Sequence, residues 1–316
     1  MTRVQTLHVT TVLATLLLIT IGAVVRTTES GLGCPDWPLC HGNLIPPAEK
    51  TAIIEWSHRT VASIVGLLIV ASTVVALKAH RNDRLVLWIT LPVLPLLAVQ
   101  AWLGKITVER ELPPEIVAIH LSTALILLAL LALIAAYSFI GTDRALWGDQ
   151  DHDGLLRVSI LAVVVTGAVL VIGSYVVATN AGYGCSSWPG CTQAQIPFVD
   201  GARLQHIHWL HRITVVLGAA VIALLAYFVL SEMRDPDPLL RKAAHSLIGL
   251  YAFQILVGAL NPWTDFSVAA QVAHLAVGSA IWALLVVTTF ASQYRPETDL
   301  SRPAHRTTRG RTGASA

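Results

Sequence analysis

The sequence predicts an all-α polytopic membrane protein, with eight transmembrane helices arranged as two pseudo-symmetric four-helix bundles. Three observations predict this fold class: an apolar composition, eight apolar runs of membrane-spanning length, and an internal repeat that relates the two halves of the chain. Of the 316 residues, 54% are hydrophobic and only 13% are charged, whereas a soluble domain has about 25% charged residues. The composition therefore excludes an ordinary soluble domain.

Apolar runs of about 20 residues, the length that crosses a bilayer as a helix, alternate with polar or turn-rich breaks. The first run lacks a strongly basic start and a small-residue cleavage site, so we interpret it as a retained helix. The tail, 295–316, is rich in Arg, Pro, Thr and Gly and is predicted to be disordered. The expected helices cover residues 7–26, 56–79, 84–104, 115–140, 156–178, 206–230, 239–260 and 267–292.

Lys and Arg concentrate in the loops on one side of these helices, while the two long loops, 27–55 and 179–205, carry few of them. The positive-inside bias places both termini in the cytoplasm and both long loops outside a cytoplasmic membrane. The lipid bilayer is therefore an expected partner. No basic stripe is interleaved with aromatic residues, so no nucleic acid is expected to bind.

The two halves repeat each other in sequence. His58-Arg59 recurs as His211-Arg212. Four helices per repeat is an even number, so both halves enter the membrane in the same orientation, which predicts a pseudo-two-fold axis along the membrane normal. The predicted halves are residues 1–145 and 146–294. Gly22, Gly31, Gly33, Cys34, Trp37, Pro38 and Cys40 recur 151 residues later, and Gln100, Gly104 and His120 recur 154 residues later as Gln254, Gly258 and His274.

All four cysteines fall in the two long loops, as the pairs Cys34 with Cys40 and Cys185 with Cys191. Disulfides persist outside the cytoplasmic membrane, so two local bridges are predicted. Metal-binding cysteine pairs are the alternative, although no further Cys or His completes a tetrahedral set.

Four histidines occupy equivalent depths near the outer ends of the helices. His58 and His120 begin the second and fourth helices, and His211 and His274 correspond to them in the second half. Ionisable groups at membrane depth are rare and mark function by default, although any one of them alone is also consistent with a satisfied core histidine. Haem iron takes two axial ligands on opposite faces of a flat ring, whereas zinc or copper needs more ligands. We therefore predict one haem in each bundle.

Arg59 and Arg212 directly follow two of these histidines at the membrane surface. Their guanidinium groups are candidates for charge-assisted hydrogen bonds to haem propionates, with interfacial snorkelling as the alternative. Small residues nearby, such as Gly66 and Gly218, give room for a ring or serve helix packing.

The repeat breaks at one informative position. Three residues before His58 stands Glu55, whereas three residues before His211 stands His208. The spacing puts Glu55 on the same helical face as His58. A carboxylate beside a haem edge accepts protons or stabilises positive charge on a substrate carbon; the alternative is an acidic residue favoured by the helix dipole. This asymmetry predicts a reaction in the N-terminal half and a resident haem b in the C-terminal half.

The run from Gly31 to Gly42 (GLGCPDWPLCHG) and the segment from Glu55 to Arg59 (EWSHR), together with His120, His211-Arg212 and His274, resemble the haem A synthase family. The resemblance covers residues 7–292, and the paired loop cysteines resemble the bacterial type. It implies oxidation of the C8 methyl group of haem O to a formyl group, giving haem A for cytochrome c oxidase. It also implies molecular oxygen and an unidentified electron donor, and haem O synthase is the expected supplier of substrate.

Carried over by position, the resemblance implies that His58 and His120 flank the substrate haem O and that Glu55 is the catalytic carboxylate. It further implies that His211 and His274 ligate a permanent haem b. Disulfides would then join Cys34 to Cys40 over the N-terminal site and Cys185 to Cys191 in the second half. Two other functions stay open: a di-haem b electron-transfer cytochrome and a haem transporter or chaperone. A homo-oligomer also stays open.

Overall fold

Each of the eight apolar runs forms a helical span that is long enough to cross a bilayer. The computed structural model describes residues 1–140, 153–191, 202–232 and 238–293, and within them the eight-helix fold class is confirmed. The predicted disordered tail lies outside the described residues. The helices are α1 (Arg3–Thr27), α2 (Lys50–Ala79), α3 (Arg84–Thr90), α4 (Val93–Glu109), α5 (Pro114–Ile140), α6 (Asp153–Ala178), α7 (Arg203–Tyr227), α8 (Pro238–Trp263) and α9 (Val268–Ala291).

The largest differences from the predicted bounds are in α2 and in the third span. α2 begins at Lys50, not at 56, because its first two turns contain polar residues that an apolar run excludes. Glu55 therefore lies in the second turn of a helix, and His58 lies well inside it. The third span is divided into α3 and α4 at Leu91 and Pro92, since proline has no N–H to donate to the carbonyl four residues earlier.

Each half packs as a four-helix bundle in which the histidine-bearing helices stand diagonally opposite. In the first half, α1 and α4 each pack against both α2 and α5. In the second half, α6 and α8 each pack against both α7 and α9. The diagonal helices are thus α2 and α5, which carry His58 and His120, and α7 and α9, which carry His211 and His274. This arrangement leaves the bundle axis between each pair of histidines.

Apolar side chains close each bundle on one side of the histidines. Leu127 and Leu131 lie seven and eleven residues after His120, and both are almost fully buried in the core of the first half. Ile281 and Leu285 occupy the same positions after His274 in the second half. The histidines are therefore confined to the end of each bundle that carries the cysteine loop, which we call the cysteine end.

The two halves meet along α1, α5, α6 and α9. Contacts of α1 with α9 mirror those of α5 with α6, as a pseudo-two-fold axis requires. Trp282 and Leu125 lie in the apolar core of this interface, and the Trp282 indole N–H donates a hydrogen bond to the Leu125 carbonyl at 2.9 Å. At the cysteine end, Arg26 donates to the Asn180 side chain at 2.8 Å. These contacts fix the two bundles side by side.

Candidate functional site

Each of the four histidine rings packs across a helix contact onto a glycine of the preceding span. A Cβ built on these glycines would lie 3.0–3.4 Å from the imidazole Cε1 atom, which is closer than ordinary van der Waals contact for three of them and at its limit for Gly104. The sequence repeat contains these glycines but gives no indication of what they touch. The pairs are Gly22 with His58, Gly104 with His120, Gly173 with His211, and Gly258 with His274.

In the second half, the rings of His211 and His274 face each other across the bundle. Their centroids are 6.4 Å apart and their planes are inclined by 84°. Two imidazoles that bind one metal through nitrogens at about 2 Å, each nitrogen about 1.2 Å from its ring centroid, have centroids about 6.4 Å apart. The observed separation is compatible with both rings binding a single iron.

The imidazole nitrogens do not behave like those of satisfied core histidines. The Nδ1 atoms of His58, His120 and His211 are buried and have no hydrogen-bond partner within the described part of the chain. Buried polar atoms are nearly always paired. A purely structural role for these histidines therefore does not account for their unpaired nitrogens. No cluster of three or more His, Cys, Asp or Glu side chains that could hold a metal ion occurs among the described residues. Paired axial ligation of a macrocycle fits this donor set better than a zinc or copper site.

Glu55 is buried, with 3% of its surface exposed, and both of its carboxylate oxygens have partners. Oε2 accepts a hydrogen bond from the backbone N–H of Cys34 at 2.8 Å. Oε1 forms an ion pair with Arg59, one turn further along α2. A buried carboxylate is costly unless it is paired in this way. Glu55 is thus held in one position, one turn from His58.

The guanidinium groups of Arg59 and Arg212 bind the cysteine loops. Each donates to three backbone carbonyls of the loop above its own bundle, so each arginine ties its loop to a histidine-bearing helix. These bonds use most of the guanidinium N–H groups that we expected to bind haem propionates. Propionate binding by the remaining N–H groups stays a prediction. The acceptors are Cys34, Asp36 and Leu39 for Arg59, and Ser187, Pro189 and Gly190 for Arg212.

Disulfides close both loops, as predicted. Cys34 and Cys40 are joined with their Cα atoms 4.6 Å apart, and Cys185 and Cys191 with theirs 4.4 Å apart. No cysteine is free in this chain, which contradicts the metal-binding alternative. A Cβ on Gly33 would lie 2.4 Å from the backbone of Thr51, so only glycine lets the first loop approach the start of α2 this closely.

Further contacts stiffen the first loop. The Asp36 carboxylate accepts hydrogen bonds from the backbone N–H groups of Gly42 at 2.8 Å and His41 at 2.6 Å. The Gly42 N–H above all holds the pKa of Asp36 below its ordinary value. The ring of His41 is hydrogen-bonded to the Gly33 carbonyl at 3.0 Å.

His208 takes the place of Glu55 in the second half, where it is also buried. The Nδ1 atom of His208 is buried and has no hydrogen-bond partner among the described residues, whereas the Glu55 carboxylate accepts from the backbone N–H of Cys34. Gly218 contacts the Tyr251 hydroxyl and serves helix packing, while Gly66 has no neighbour within 4 Å among the described atoms.

Comparison with known proteins agrees with this geometry. The family described as cytochrome oxidase assembly protein matches residues 5–286. A heme A synthase of Symbiobacterium thermophilum is 29% identical over 277 residues, 85% of this chain and 89% of the relative. A heme A synthase of Shewanella oneidensis is 28% identical over 320 residues, which are 88% of this chain and 93% of the relative. A heme A synthase of an Exiguobacterium species is 31% identical over 257 residues, which are 78% of this chain and 79% of the relative. The chain belongs to the cytochrome oxidase assembly protein family.

Proposed function

We propose that this protein is a haem A synthase, a membrane oxidoreductase that converts the C8 methyl group of haem O into a formyl group. The observation that carries the proposal is the asymmetry of the bundles. One bundle combines a histidine pair with the buried carboxylate of Glu55, and the other has a histidine pair without a carboxylate. Chemistry on a carbon atom needs a group beside the reacting edge, whereas a resident electron carrier needs only its ligands.

The proposed sites follow the two bundles. Substrate haem O lies between His58 and His120 in the N-terminal half, residues 1–145. A permanent haem b is ligated by His211 and His274 in the C-terminal half, residues 146–294. The unpaired buried imidazole nitrogens, the glycines beneath the rings and the 6.4 Å ring separation in the second half support this assignment. Bound haem b would supply a one-electron carrier. Molecular oxygen would be the oxidant, and an electron donor of unknown identity would supply the electrons that reduce it.

The protein residues of the N-terminal site position and protect the reacting edge. The Glu55 carboxylate would accept a proton released during the oxidation or stabilise positive charge that develops on the substrate carbon. Arg59 and the Cys34 N–H hold this carboxylate in a fixed orientation, which is what electrostatic stabilisation requires. The disulfide loop that Arg59 binds covers the end of the bundle and limits the entry of water.

The surroundings of the protein complete the proposal. It lies in the cytoplasmic membrane with both termini inside and both cysteine loops outside, as the charge distribution indicates. Haem O synthase supplies the substrate.

Two variants and a matched control test the proposal when each is produced together with a haem O synthase and its haems are extracted and separated. Glu55→Gln keeps the shape of the side chain but not its charge, and it is expected to bind haem and form no haem A. His274→Ala is expected to lose the haem b spectrum. Glu115→Gln removes an exposed carboxylate at the start of α5 and is expected to behave as wild type.

Wild-type haem A formation by Glu55→Gln would remove Glu55 from the mechanism. An unchanged haem b spectrum in His274→Ala would contradict the assignment of the C-terminal site. Haem b with unconverted haem O in every variant, wild type included, would favour the di-haem cytochrome or the haem transporter.

A further inference from the structure

The two cysteine loops differ in how they are joined to the opposite side of their bundles. Arg59 ties the first loop to α2, and Arg212 ties the second loop to α7. The turn that joins α4 to α5, or α8 to α9, also lies at the cysteine end, since His120 and His274 follow it within two turns of helix. Each histidine pair thus has a cysteine loop on one side of its bundle end and a helix turn on the other.

In both halves the turn places one side chain against the first glycine of the loop. A Cβ on Gly31 would lie 3.1 Å from Leu112, and a Cβ on Gly182 would lie 3.1 Å from Phe266. Leu112 and Phe266 both have a left-handed backbone, with φ of 61° and 58°, which is uncommon for residues other than glycine. The two turns therefore have similar backbones here and differ in the side chain that meets the loop.

Two aromatic pairs join the second loop to its turn. The rings of Tyr183 and Phe266 have centroids 4.5 Å apart, with their planes inclined by 50°. The rings of Trp188 and Trp263 have centroids 5.5 Å apart and are nearly perpendicular, at 84°. Both separations lie in the range of favourable aromatic pairs. Each pair has one ring on the loop and the other at the end of α8 or in the turn, so the second loop is held on both sides of its bundle.

The turn of the second half is itself held by the helix that carries His274. The Gln271 side chain on α9 donates through Nε2 to the backbone carbonyl of Phe266 at 2.6 Å. The first half has Val117 at the position of Gln271, and valine has no group that could donate such a bond. The aromatic ring of Phe266 is thus anchored to a haem-binding helix.

The first half has aliphatic residues where the second half has the first aromatic pair. Leu32 takes the place of Tyr183 in the loop. Leu112 takes the place of Phe266 in the turn. The contact between this loop and this turn is therefore made by leucine, without the electrostatic component that favours two aromatic rings.

The second aromatic pair is also missing from the first half, although one of its members is present. Trp37 corresponds to Trp188, but Glu109 stands where the second half has Trp263. Glu109 forms an ion pair with Lys105 on its own helix at 3.4 Å, and 43% of the Trp37 surface is exposed. The first loop is thus bound firmly to α2 and more weakly to the turn between α4 and α5.

The weaker boundary lies on the side of the bundle that faces lipid. α1 and α5 pack against the second half, whereas α2 and α4 lie away from that interface. A haem that moves outward between α2 and α4 would therefore enter the bilayer. Separation of the loop and α2 from the turn and α4 would leave the contacts between the two halves intact.

The proposed function requires haem O and haem A to exchange in one bundle while haem b stays in the other. We propose that the boundary between the first cysteine loop and the turn between α4 and α5, which we call the exchange seam, is the route by which haem O enters and haem A leaves the N-terminal site. The two aromatic pairs close the corresponding boundary over haem b. The inference rests on the proposed function and deepens it, because it assigns a route to the substrate and the product.

The first test measures how fast the purified full-length protein loses haem b to an excess of a haem-binding acceptor protein. An aromatic pair of ordinary strength changes an equilibrium about 2- to 12-fold, and two such pairs change it about 5- to 150-fold. The double variant Trp263→Leu with Phe266→Leu is therefore expected to release haem b about 5- to 150-fold faster. Phe253→Leu removes a half-exposed ring from the same helix and is expected to release haem b as wild type does.

A single variant keeps this test decisive if the double variant fails to fold. Tyr183 is 60% exposed, so Tyr183→Leu removes one aromatic pair without opening the core. It is expected to release haem b about 2- to 12-fold faster. Release of haem b at the wild-type rate by Tyr183→Leu would overturn the proposed closure of the second half.

The second test builds the missing pair into the first half. Leu32→Tyr with Leu112→Phe, made together with a haem O synthase, is expected to form haem A and to release it to the acceptor protein about 2- to 12-fold more slowly than wild type. Its haem b is expected to be released at the wild-type rate. Leu32→Tyr alone adds a ring without its partner and is expected to release haem A as wild type does.

The outcomes separate the inference from the function on which it rests. Haem A release at the wild-type rate by the double variant would contradict the exchange seam, and equal slowing by Leu32→Tyr alone would contradict the role of the aromatic pair. A wild-type protein that holds no haem b and forms no haem A would instead sink the proposed function.

Discussion

Adding one methyl group beneath a histidine ring should displace that ring and weaken its hold on iron. In Gly173→Ala and Gly258→Ala the new Cβ would lie 3.0 Å from the Cε1 atom of the facing histidine, and in Gly22→Ala it would lie 3.3 Å away. Ordinary contact begins at 3.4 Å, so the rings of the second half must move by about 0.4 Å, while that of His58 moves far less. Metal sites tolerate deviations of about 0.2 Å in ligand distance. We therefore expect the first two variants to lose haem b. Gly22→Ala is expected to retain haem b, because Gly22 lies beneath His58 of the substrate site.

The assay is the haem b content of each purified protein, from the absorbance of the reduced pyridine complex relative to protein concentration. Gly66→Ala and Gly249→Ala are the controls, since a Cβ built on either glycine would meet no atom of another described element within 4 Å and alanine favours a helix by up to about 1 kcal/mol. These controls are expected to keep haem b and to be no less stable. Full haem b content in both Gly173→Ala and Gly258→Ala would refute the reasoning. It would mean that the histidine rings can shift and still bind haem, so the glycine contacts do not position them.

Three further predictions test the loops and the interface. Arg59→Met should lower the melting temperature more than Arg212→Met in thermal unfolding, because only Arg59 leaves a buried carboxylate without its cation; equal losses would argue against this ion pair. Trp282→Phe should cost about 1 kcal/mol of unfolding free energy through the lost bond to the Leu125 carbonyl, and an unchanged stability would show that this bond does not hold the halves together. The pKa of Asp36 is depressed in the folded loop, so its stabilisation is present at neutral pH and lost as the pH falls below about 4; the protection of the loop amides against hydrogen exchange, relative to the intrinsic rate at each pH, should fall there in the wild type but not in Asp36→Asn.

The arrangement of the helices follows from the sequence, because hydropathy and the internal repeat both act over whole segments. Eight spans, two related halves and the paired disulfides all depend on patterns that recur. The bounds of α2 were wrong by six residues, since Lys50 and Glu55 interrupt an apolar run without interrupting a helix. The division at Pro92 follows from proline chemistry but not from hydropathy.

The site was predictable in its residue types and not in its contacts. The depth of the four histidines and the exchange of Glu55 for His208 are visible in the sequence. The glycines beneath the rings belong to different helices, so their role requires the packing of the bundle. One signal was available: glycine precedes His120 and His274 by the same interval. The loop carbonyls that bind Arg59 depend on an irregular backbone, which no periodic pattern encodes.

The measurement that tests the account most directly is the haem composition of the purified wild-type protein made together with a haem O synthase. Two histidine pairs of which only one has a carboxylate predict haem b and haem A in the same preparation, with haem A absent when Glu55 is changed to Gln. A preparation that contains haem b and haem O without haem A, under aerobic growth, would contradict the division of labour between the two bundles.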